Sequence, residues 1–170
     1  MFMEAFYSRF PDIAAAETRT LHVLNDDRLP TGEYNFLEYF CNKRGCDCRR
    51  SHIAVTSPQA NNEVLATISF GWESLEFYAD WMSCSLSDPM VSDMKGPALL
   101  PMNKQSEYSE VLFDKFISVV LDDTYTERVK RHYRLFKDSL QRDSSTRGHR
   151  NRKDKRKAKR AIRKKNRKKR

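Results

Sequence analysis

The chain has 170 residues, 32 of them Lys or Arg against 23 Asp or Glu, for a formal net charge of +9. That length accommodates one domain plus an appendage, and no run of about 18 apolar residues exists to cross a membrane as a helix. The charge averages two unlike pieces: residues 141–170 hold 17 bases and two acids (+15), and residues 1–140 hold 15 bases and 21 acids (−6).

An acidic body with a basic arm points to a polyanionic partner, nucleic acid before others. The N-terminal segment "MFMEAFYSRFPDIAAAETRT" lacks the basic start and unbroken apolar core of a secretory signal. The expectation is a cytoplasmic chain whose thiols stay reduced. In residues 2–24 the apolar positions Phe2, Ala5, Phe6, Phe10, Ile13, Ala14, Leu21 and Leu24 recur at helical spacing, broken by Pro11. That predicts one or two short amphipathic helices. "NDDRLPTGE" at 25–33 reads as a loop.

"EYNFLEYFC" alternates, with Tyr34, Phe36 and Glu38 on one side and Leu37, Tyr39 and Cys41 on the other, which predicts a strand. "NKRG" turns the chain, "CRRSHIAVTS" returns as a second strand and "NNEVLATISFGW" as a third, an antiparallel meander. "ESLEFYADWM" switches to helical spacing, and the proline-punctuated residues 84–104 read as a long loop. "SEYSEVLFDKFISVVL" and "DDTYTERVKRHYRLFKDSL" predict two helices, the second capped by Asp122 or Asp123 and carrying a stripe of Tyr125, Val129, Tyr133 and Phe136. The expected fold is α+β: a small antiparallel three-stranded sheet flanked by helices over 1–140, followed by a disordered or helical basic tail over 141–170.

Three of the four cysteines crowd into "CNKRGCDC": Cys41, Cys46 and Cys48, spaced C-x4-C-x-C across the predicted hairpin turn. Thiolates gathered at a turn are the usual ligands of structural zinc, which takes four at tetrahedral geometry. Lys43, Arg44, Arg49 and Arg50 would favour thiolate over thiol. Redox chemistry and inert packing of small apolar side chains are the competing readings. For the fourth ligand His52 suffers from strand geometry, since an extended 48–52 puts its Cα about 13 Å from that of Cys48. Cys84 is free of that restriction, and a water or a second chain are further options.

The stretches "LPTGEYNFLEYFCNKRGCDCRR", "ATISFGWESLEFYADWM" and "YTERVKRHYRLFK" resemble the signatures of an uncharacterised bacterial protein family with a cysteine-bearing hairpin, the likeness covering residues 29–140. Some members of that family carry a C-terminal SEC-C zinc motif, where this chain has its basic tail. The resemblance implies that Cys41, Cys46 and Cys48 act as a unit, and it implies no activity.

"SFGWES" places Gly71 between strand and helix, where a tight turn would use its φ freedom, with Ser74 or Glu73 as helix cap. His22, His52, His132 and His149 form no i,i+4 metal pair, and His132 sits on a basic helix face expected to be solvated. No nucleophile elbow, P-loop or dinucleotide fingerprint is present. In the tail, Arg152, Lys153, Lys155, Arg156, Lys157, Lys159, Arg160, Arg163, Lys164, Lys165, Arg167, Lys168, Lys169 and Arg170 can neutralise phosphates. No aromatic interrupts them, so base stacking is not available there. The expected function is that of a zinc-stabilised accessory or adaptor protein that binds RNA or DNA through this tail. A metal-dependent enzyme with a pocket near the cysteine hairpin, or a protein–protein module using the acidic body, are the rivals.

Overall fold

The computed structural model describes residues 3–143, so the basic run from Arg147 onward lies outside the described residues. The fold is built on one long strand, β3 (Gly32–Cys41). Its alternation buries Tyr34, Phe36, Glu38 and Phe40 on one face, and the side chains of that face seed the core. β4 (Arg50–Thr56) and β5 (Val64–Gly71) continue from it as antiparallel neighbours, with Glu38 opposite Ile53 and Ile53 opposite Ile68.

The sheet is nevertheless six-stranded, which overturns the expectation of a small three-stranded one, though the class remains α+β. The order is β1 (Met3–Ala5), β3, β4, β5 and β6 (Ala98–Leu99), with β2 (Arg19–Val23) paired to β3 as well. β1 (Met3–Ala5) and β2 (Arg19–Val23) share the remaining edge of β3 end to end, pairing with residues 39–41 and 32–36 respectively. Between them a 3-10 turn (Phe6–Ser8) and the short helix α1 (Pro11–Glu17) leave the sheet opposite Leu37 and Glu38. The helical spacing read over 2–24 is real only in this excursion. Its flanks become strands because β3 offers an unpaired row of backbone donors and acceptors that local propensity does not register.

The second addition is β6 (Ala98–Leu99), antiparallel to β5, inside the stretch read as loop. The same stretch holds α3 (Pro89–Lys95), opened by Asp88, whose carboxylate accepts from Met90 N at 2.9 Å, with Pro89 at the first helical position. Proline there starts a helix rather than breaking one. α2 (Leu75–Met82) is capped by Ser74, whose hydroxyl accepts from Phe77 N.

The core lies between the sheet face carrying Phe36, Phe40, Ile53, Val55, Ile68 and Phe70 and two C-terminal helices. α4 (Ser109–Lys115) runs into a π-helical turn, Phe116–Val120, and α5 covers 123–143. Asp122 caps α5 by accepting from Tyr125 N at 2.6 Å. The stripe Tyr125, Val129, Tyr133, Phe136 and Leu140 is buried, and Phe40 meets the rings of Tyr133 and Phe136 at 5.8 and 5.6 Å between centroids. α2 and α3 cover part of the opposite face around a smaller cluster of Tyr78, Ala79 and Val91. Among the described residues no helix is long and apolar enough to cross a membrane.

Candidate metal centre

Cys41 is the last residue of β3, held in the ladder opposite Met3. The chain then reverses through residues 42–47, with Gly45 at φ +69° supplying the left-handed step and Cys46 N donating to Lys43 O at 3.3 Å. Cys48 follows, and Arg49, at φ +43°, bends the backbone again before β4 begins. A non-glycine residue in that region needs support. Two tyrosines provide it: Tyr78 Oη donates to Arg49 O at 2.7 Å, and Arg49 N donates to Tyr133 Oη at 3.4 Å. The two bends bring the Sγ atoms of Cys41, Cys46 and Cys48 to within 4.8 Å of one another.

A clamp from α5 fixes the turn from outside. Lys137 Nζ donates to the carbonyls of Cys41 (2.9 Å) and Lys43 (3.3 Å) and lies 5.4 Å from the centroid of the Tyr133 ring. Cys41 and Cys48 are buried, and Cys46 is half-buried. Burial pushes the Cys48 thiol up to about 12, helped by the neighbouring Cys46 and Cys41 and opposed by Lys137. Three thiol sulfurs so close together could hold a metal ion, and binding one as thiolates would release their protons.

A second basic side chain bears on the thiols besides Lys137. The Arg50 guanidinium is buried and makes no ion pair with a described carboxylate. It donates to Ser69 Oγ at 2.5 Å, touches Met94 Sδ and His52 Nε2, and leaves its buried Nε without a partner. Burial lowers its pKa, and charge on Cys48 and Cys41 would raise it again. A centre of three thiolates and one divalent cation would carry −1, of the sign that suits Arg50 and Lys137 beside it.

The other two candidates lie elsewhere. The chain does bend at Arg49, as a His52 ligand would require, but His52 then sits within β4 opposite Ser69, its Nε2 3.3 Å from the Arg50 guanidinium. Cys84 follows α2, its Sγ donating to Met82 O at 3.6 Å and packed against the cluster of Tyr78 and Val91. Neither joins the three-cysteine group, and among the described residues no fourth His, Cys, Asp or Glu does.

The residues that support the site were not legible as such. Tyr133 reads as one position of an apolar helix stripe and Arg50 as one of four bases near the cysteines, while nothing in the sequence singles out Tyr78 or Lys137 as supports of the turn. Gly71 owes its place to space rather than φ: a Cβ there would collide with the Tyr78 hydroxyl and sit 3.0 Å from Lys95 O. Against family models, curated proteins and solved structures the chain shows no match.

Proposed function

We propose that this chain is a zinc-clipped α+β domain of the reducing cytoplasm that binds nucleic acid through its basic C-terminal segment. The observation that carries the reading is the convergence of Cys41, Cys46 and Cys48 within 4.8 Å beside the helix that leads into that segment. Zn–S bonds of about 2.3 Å at tetrahedral angles separate sulfurs by about 3.8 Å, so a closure of at most about one ångström brings three ligands into place and leaves the fourth to a water or a second chain. Soft thiolates select zinc over the hard cations. The arm's +15 supplies the affinity for phosphate.

The test is a titration of the full-length chain with short labelled DNAs of two unrelated sequences over a salt series, beside a variant whose Lys and Arg over 152–170 are Gln. With about six phosphates engaged, log affinity should fall against log salt with a slope near −5. The two sequences should bind alike and the variant should lose most of the slope. A wild-type chain without salt-dependent binding contradicts the reading.

One observation favours the second reading, a metal-dependent enzyme: Cys46 lines an open cleft, and three protein ligands with an exchangeable water is the pattern of catalytic zinc. Exchange of the fourth ligand with added anions separates an open site from a closed structural one.

A further inference from the structure

The cleft over Cys46 has a volume of about 480 Å³ and runs between the β3–β4 turn and the last turns of α5. Its walls carry Lys43 and Arg44 from the turn, Arg134 and Lys137 from the helix, and only Asp47 and Asp138 in opposition. Lys137 is occupied in holding the turn. Lys43, Arg44 and Arg134 make no ion pair at contact distance among the described residues, and Lys43 and Arg44 are exposed. The neighbouring cleft of about 330 Å³ differs, because its Arg49 is paired with Asp47 and Glu73 and its Lys130 with Glu127.

The basic wall and the thiol group are one piece of chain. Lys43 and Arg44 stand between two of the three sulfur-bearing residues, so whatever closes Cys41 on Cys46 also fixes where these cations point. Leu140 and Gln141 line the same cleft, and Gln141 is the first residue of the +15 segment.

We infer that this cleft is a phosphate seat continuous with the basic segment, set in place by the metal, so that metal loading raises the affinity for a nucleic-acid backbone. The inference rests on the reading above and adds a site and a coupling to it. Because the coupling is a property of equilibrium binding, nucleic acid must raise the affinity for metal by the same factor.

The experiment uses the full-length chain and a short labelled DNA duplex. Metal-loaded wild type and Lys43→Gln/Arg44→Gln are titrated over a salt series, and each is repeated after metal removal. Metal affinity is measured by competition with a chromophoric chelator, with and without DNA. Two lost contacts should make the salt slope of the loaded variant shallower by about 1.8. In wild type, loading should raise DNA affinity, and DNA should raise metal affinity, by an equal factor of about five or more. The variant should lose most of that factor, and the metal-affinity arm reads the coupling even if the metal-free chain unfolds. An unchanged slope in the variant, or a metal affinity indifferent to DNA, overturns the inference while the binding of wild type to DNA still stands. Absence of DNA binding by wild type removes both this inference and the reading beneath it.

Discussion

His132 Nδ1 lies 2.7 Å from Glu38 Oε2 in the interior of the protein, the two residues 94 positions apart in the chain. The other ring nitrogen, Nε2, lies 3.1 Å from Glu17 Oε2, and Arg131 pairs with the same carboxylate. Each ring nitrogen thus lies at hydrogen-bonding distance from a different glutamate side chain, so the imidazole bridges Glu38 and Glu17. Phe6 stacks on it at 4.2 Å between centroids. His132 is 2% exposed, which corrects the expectation that it lies on a solvated basic face. The network closes the gap that β1 and β2 leave along β3 at Glu38.

Removing the imidazole leaves the buried Glu38 side chain without its partner and a ring-sized space beside Phe6, which together cost about 3–5 kcal/mol. His132→Ala should therefore lower stability by that amount in urea unfolding. The double variant His132→Leu/Glu38→Leu should lose less than the two single changes together, because it leaves neither buried partner stranded. A His132→Ala protein within about 1 kcal/mol of wild type would show that the pair is not structural.

How much of this could be read in advance follows residue by residue. The alternation puts Glu38 on the same side of its strand as Tyr34 and Phe36, but that this side is buried, and that a helix supplies its partner, emerges only on folding. The thiol trio was legible because all three members are local, within one turn. The extra strands were not, because β1, β2 and β6 are short edge pieces whose pairing partner, rather than their own composition, makes them strands. The reason for Gly71 was hidden in the same way, since the tyrosine that needs its space arrives on α2.

His52 gives the chain a pH dependence with a defined window. Burial first, and then the Arg50 charge, hold its pKa down to about 4, against 6.5 for the free side chain. The unfolded state therefore takes up a proton below about pH 6.5 that the fold refuses until about pH 4. Stability is full above 6.5 and falls as pH drops towards 4. Between about pH 7 and about pH 5 the loss should be about 2 kcal/mol. Urea midpoints at both pH values, compared with His52→Gln, isolate the effect. Equal losses in both proteins would assign it to other groups.

Gly71→Ala should destabilise the fold by about 1–3 kcal/mol through overpacking, because the added methyl meets the Tyr78 hydroxyl. That hydroxyl holds the left-handed Arg49 next to Cys48, so the variant should also bind metal more weakly. Calorimetric unfolding with and without chelator checks both effects. A variant as stable as wild type would mean that Tyr78 moves aside freely.

The thiol group is the centre of the account, and its metal content is the most direct test. Full-length protein purified without added metal should contain one zinc per chain by elemental analysis, with three sulfur neighbours by X-ray absorption. Cys46→Ser should lose most of that zinc. Because structural zinc contributes on the order of 10 kcal/mol of folding free energy, chelation should lower the thermal midpoint of wild type sharply and that of the variant little. Wild-type protein without zinc, or a Cys46→Ser variant with full zinc and unchanged stability, would contradict the account.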